Sequence, residues 1–67
     1  MRYDIRVRGS VREEVVAGLG DVTAVESGMD TVLRCRVPDV AALAGLLRAL
    51  AQAGLVIREL RKVDPGS

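Results

Sequence analysis

A chain of 67 residues with one cysteine and no histidine is a single domain near the lower size limit for folding alone, and it can form no internal disulfide. Ten basic and nine acidic side chains leave a net charge of +1, so no global field draws the molecule to nucleic acid or to an anionic membrane. The same inventory excludes a zinc or copper centre, which needs several soft or imidazole ligands, and no run approaches the ~20 apolar residues of a membrane span.

Residues 2–8 alternate, with Tyr3, Ile5 and Val7 on one side and Arg2, Asp4, Arg6 and Arg8 on the other. A period of two with β-branched residues predicts a half-buried strand, which Gly9 ends. Ser10 followed by Glu13 carries the spacing of a capping box, and Val11, Val15 and Leu19 recur at helical spacing before Gly18 and Gly20 stop that helix. A second strand is expected from Asp21 to Ser27, with Val22 and Ala24 competing with Thr23 and Val25 for the core. Gly28-Met29-Asp30 then gives a tight connection to a third strand, Thr31 to Val37, in which Leu33, Cys35 and Val37 face inward. Pro38-Asp39 opens a second helix with Asp39 as N-cap, running from Val40 to Ala53 and ending at Gly54. Its apolar face is expected to be Val40, Leu43, Leu47, Leu50 and Ala51. Leu55 to Val63 returns as a strand.

The order β-α-β-β-α-β predicts an α+β ferredoxin-like sandwich, a four-stranded antiparallel sheet with both helices on one face and the first and third strands central. The expected domain covers residues 1–64, with a short flexible tail over 65–67. The N-terminus lacks the apolar stretch of a signal peptide, and a lone cysteine stays reduced in the cytoplasm, which is the expected location.

Chemistry is sparse. The heavy-metal-binding proteins of this fold carry Cys-x-x-Cys in the first loop, where this chain has Arg8-Gly9-Ser10-Val11. The phosphate-cradling loop of acylphosphatases also departs from this segment, which continues as Arg12-Glu13-Glu14. Cys35 lies between Arg34 and Arg36, but alternation turns it to the opposite face as a small buried hydrophobe. No catalytic residue, cofactor or metal is expected, and the chain is not expected to be an enzyme.

Two surfaces are candidates for function. The open sheet face gathers Arg6, Arg8, Arg34 and Arg36, a basic surface able to hold phosphate without sequence preference. It offers no aromatic ring for base stacking, and solvated arginines paired with Asp4 are the plainer reading. On the second helix Ala41, Ala42, Gly45, Ala49 and Ala53 form a small-residue row opposite the expected core face, where a charged row is usual. Gly45 is costly inside a helix, by about 1 kcal/mol relative to alanine, which favours close approach of another backbone. Self-association is expected on this helix or beside it along a sheet edge.

Tyr3-Asp4-Ile5-Arg6-Val7-Arg8-Gly9, Thr31-Val32-Leu33, the helix Asp39-Val40-Ala41-Ala42-Leu43-Ala44-Gly45-Leu46-Leu47 and Gly54-Leu55 resemble a group of short uncharacterised actinobacterial proteins. The resemblance covers nearly the whole chain, and its motifs are structural, so it implies the fold and no activity. The functional expectation is a non-enzymatic homodimerisation or protein-interaction module. The alternatives are a nucleic-acid-binding accessory protein using the basic face, and a small-molecule sensor, since ACT-type regulatory domains share this order and bind near the first loop, here Gly9, Ser10 and Val11.

Overall fold

The computed structural model describes residues 1–63. The tail expected over 65–67, like residue 64, lies outside the described residues. Strand β1 covers Arg2–Arg8, helix α1 Glu13–Ala17, β2 Val22–Ser27, β3 Asp30–Arg36, α2 Val40–Gln52 and β4 Ile57–Val63. The strands form one sheet in the order β2-β3-β1-β4, each neighbour antiparallel. This is the ferredoxin-like α+β arrangement, with β1 and β3 at the centre.

Cross-strand partners share a face, so the register fixes which side chains meet the helices. Tyr3, Ile5 and Val7 lie opposite Cys35, Leu33 and Thr31, and these in turn lie opposite Val22, Ala24 and Glu26 of β2. The ambiguity in the second strand is thereby resolved: Val22 and Ala24 take the helix side, and Thr23 and Val25 the open side. The core consists of Ile5, Val7, Leu33, Cys35 and Val37 beneath Leu43, Leu46 and Leu50. Thr31 is the one buried polar residue among those described. Its hydroxyl donates to the Gly9 carbonyl at 2.7 Å, tying the turn after β1 to the sheet.

The first helix departs from expectation. It is five residues long, its N-cap is Arg12 in extended conformation, and no side chain caps it. The Ser10–Glu13 box does not form because the chain stays extended past Ser10, with Val11 packed against the core. Glu14 instead accepts from the Arg12 guanidinium at 3.0 Å. In α2 the Asp39 cap is present, its Oδ1 accepting from the Ala42 N–H at 2.8 Å, an interaction typically worth about 1 kcal/mol. The helix stops before Gly54, whose φ of +81° suits a residue without Cβ.

The buried face of α2 is rotated from the one expected. Leu43, Leu46 and Leu50 are buried and Leu47 is partly so, whereas Val40 is 65% exposed and Ala51 lies in solvent. Both faces satisfy the 3.6-residue period. Seating Leu46 between Leu43 and Leu50 removes more apolar area from water than seating Val40 and Ala51 would, and area decides.

Candidate functional site

Cys35 has no role as a nucleophile in this geometry. It is 3% exposed and its Sγ lies 3.4 Å from the Leu33 carbonyl oxygen, to which it donates. Burial, with a smaller contribution from the Asp4 charge, pushes the thiol up to about 11. A neutral packed thiol is unreactive. Among the described residues no group of three or more His, Cys, Asp or Glu side chains gathers around a common point. No helix there is long and apolar enough to cross a membrane. The first-loop residues Gly9, Ser10 and Val11 do not line the depressions of about 560 and 100 Å³ on the sheet face or the one of about 330 Å³ between the helices.

The open face of the sheet carries Arg2, Asp4, Arg6 and Arg8 from β1, and Asp30, Val32, Arg34 and Arg36 from β3. The four arginines singled out from the sequence do share this face, but they are not equivalent. Arg6 donates to Asp30 Oδ2 at 3.4 Å and to Ser27 Oγ at 3.4 Å, and Arg58 reaches the other Asp30 oxygen at 3.5 Å. Asp30 therefore offsets part of the charge at the end of the face where Arg6, Arg58 and its cross-strand partner Arg8 lie. Asp4, expected to pair with Arg34 or Arg36, forms no ion pair among the described residues. It lies instead between two cross-strand neighbours, Arg34 on one side and Arg61 on the other. Beside them Arg2 lies directly opposite Arg36. This end of the face holds an open depression of about 560 Å³, lined in part by Arg2, Asp4, Asp21, Thr23, Arg34 and Arg36.

Arg61 was not visible as a member of this face because β4 is bulged. Its register against β1 shifts between Arg6 and Val7, so Arg58 is an extra residue. Even spacing would turn Arg58 and Lys62 to one side. The bulge lets Arg58 and Arg61 both reach the open face, and sends Lys62 to the helix side opposite Tyr3.

The small-residue row of α2 does not lie opposite the core. Ala42 and Ala49 are half-buried, and with Gly45 and Leu46 they form one wall of a groove of about 330 Å³. Gly18, Leu19 and Val22 form the other wall, with Val37 and Pro38 at its base. Ala41 and Ala53 are exposed and stand outside the groove. The rotation that seats Leu46 carries the row roughly a sixth of a turn toward α1 and β2. The row is thus a flank of the molecule's own helix layer.

The sheet has two edges, and they differ. β4 carries Arg58, Glu59, Arg61 and Lys62 and a bulge, the devices that discourage another strand from adding. β2 reads Val22-Thr23-Ala24-Val25-Glu26-Ser27, with one charge, no proline and no bulge in its pairing. Arg36 N–H donates to the Asp21 carbonyl at 3.1 Å, which fixes the alternation: Thr23, Val25 and Ser27 turn their backbone groups to β3. Val22, Ala24 and Glu26 turn theirs outward. The Val22 N–H bonds locally to the Gly20 carbonyl at 2.9 Å, while those of Ala24 and Glu26 point away from the sheet.

A family model described as a domain of unknown function, DUF8691, matches residues 2–61. The chain belongs to the DUF8691 family. The matched span begins with β1 and runs into β4, so this DUF8691 domain includes both helices, the unprotected edge and the arginine-bearing face. Neither a curated protein nor a solved structure matches the chain significantly.

Proposed function

We propose that this domain is a non-enzymatic interaction module that pairs with a second copy of itself along the β2 edge. The observation that carries the reading is the contrast between the edges: β4 is bulged and charged, whereas β2 offers outward backbone groups flanked by Thr23, Ala24 and Val25. Antiparallel pairing about a two-fold axis through Ala24 is self-complementary. Ala24 faces its counterpart and exchanges both backbone bonds with it, Thr23 faces Val25, and Glu26 faces Val22, so no like charges oppose one another. A small domain with a thin core gains most from such a partner. The edge is preferred to the small-residue row because that row already borders the groove against α1. A cytoplasmic setting suits a chain whose one cysteine is held as a thiol.

Light scattering coupled to size exclusion, run from low to high micromolar concentration, tests the reading. The wild-type chain is expected to move toward a dimer as concentration rises. Ala24→Pro removes an outward N–H and leaves the β2–β3 ladder intact, so the variant should fold and its dimer should weaken roughly tenfold or more. Leu60→Lys on the β4 edge should leave assembly unchanged. A monomer at high micromolar concentration, or an Ala24→Pro variant that dimerises as the wild type does, overturns the proposal.

A further inference from the structure

The arginines at one end of the open sheet face are arranged at a cost to the fold. Met1 and Val37 exchange both backbone bonds, at 2.6 and 2.8 Å. By alternation the next pair, Arg2 and Arg36, is of the non-hydrogen-bonded kind, in which opposing side chains stand closest. Like charges directly opposite are destabilising there. Arg34 and Arg61 flank the adjacent Asp4, so four guanidinium groups surround one carboxylate, and none of the four has an ion-pair partner within 4 Å among the described residues. A packed surface that retains this repulsion has a charge to recruit.

The positive charge is also uneven along the face. One row further along β1, Arg6 is held by Asp30 and lies opposite Glu59, and Arg58 shares the same Asp30. The basic character is therefore weaker along that row, although Arg8 beyond it has no ion pair among the described residues, and it is strongest at the Arg2 end, unlike the even track a nucleic-acid backbone would follow. At that end Arg2, Arg34 and Arg36 line the depression of about 560 Å³, whose rim also holds Asp21 and Thr23, groups able to accept from or donate to ligand hydroxyls; Arg61 lines a second depression of about 100 Å³ that shares Asp4 with the first.

We propose that Arg2, Arg34, Arg36 and Arg61 form a binding site for a compact polyphosphate ligand, a di- or triphosphate. The paired guanidinium groups of Arg2 and Arg36 straddle one phosphate in bidentate fashion, and Arg34 and Arg61 neutralise the next. Asp4, on the strand between the latter two, offsets part of their charge and limits how much negative charge the site accepts. The site meets the β2 edge only at Thr23 on its rim; its arginines lie on β1, β3 and β4 and project from the open face, whereas the edge acts through backbone groups in the sheet plane.

Isothermal titration with inorganic pyrophosphate and tripolyphosphate at low salt tests the assignment. Saturable binding is expected, weakening as salt rises, with orthophosphate at least tenfold weaker because it spans one arginine pair only. Arg36→Gln should lower pyrophosphate affinity at least tenfold and, with the cross-strand repulsion removed, raise the melting temperature of the unliganded domain by a few degrees at low salt. Arg48→Gln, on α2, should change neither quantity. The idea fails if pyrophosphate does not bind, or if Arg48→Gln weakens binding as much as Arg36→Gln does. It also fails if Arg36→Gln binds normally, or if a single-stranded oligonucleotide binds while pyrophosphate and tripolyphosphate do not compete with it.

Discussion

Replacing Leu50 by alanine should leave the domain largely unfolded at 25 °C. Leu50 is fully buried and packs with Leu43 and Leu46 over Ile5 and Leu33. Removing such a side chain typically costs about 2–5 kcal/mol, part in lost transfer energy and part in the cavity left behind. A domain of this size commands only about 3–5 kcal/mol in total, so the loss consumes most of it. Urea unfolding followed by circular dichroism measures the effect. The rotated face of α2 gives a sharper comparison on the same helix. Leu46→Ala should destabilise by about 2 kcal/mol or more, and Val40→Ala, at a position 65% exposed, by less than about 0.5 kcal/mol. The reverse order would restore the face read from periodicity alone.

Alkaline pH should erode stability through Cys35. The folded thiol ionises near 11 while the unfolded one ionises near 9.0, because burial and then Asp4 penalise the thiolate. Between these values the unfolded chain gives up a proton that the folded chain retains, so stability falls as pH rises. The contribution is intact below pH 9 and is lost progressively up to pH 11, an amount of about 2–3 kcal/mol. Phenols and amines in general also titrate in alkaline solution, so the comparison is with Cys35→Ala. The stability difference between wild type and that variant should shrink by about this amount across the window. Parallel curves for the two proteins would contradict the buried, neutral thiol.

The order of elements and the facing of β1 and β3 were legible because a period of two leaves no choice once one face is apolar: Ile5, Val7, Leu33 and Cys35 could only point together. The Asp39 cap and the Gly54 stop were legible for a similar reason, since each rests on one residue's own chemistry. Where two solutions satisfied the same pattern, tertiary packing made the choice. The α2 face turned on the relative bulk of Leu46 and Val40, and the start of α1 turned on where Val11 could reach the core. The arginine cluster was legible but for one member: Arg2, Arg34 and Arg36 follow from alternation, whereas Arg61 depended on a bulge that no local residue announces. The small-residue row was read as lying opposite the core, a helix rotation that the fold does not adopt, so the proposal of self-association moves to a sheet edge, the other place the sequence offered.

The uneven distribution of arginine gives the molecule an electrical polarity that its sum of charges conceals. On the helix side Glu13, Glu14, Glu26 and Asp39 are nearly balanced by Arg12, Arg48 and Lys62, while the opposite side carries the excess of guanidinium groups of β1 and β3. The resulting moment points along the normal of the sheet, so an approaching anion would turn the protein before touching it, whatever an isoelectric point near 8.0 suggests. A two-fold axis along that same normal would align the moments of two copies, and their attraction for anions would add.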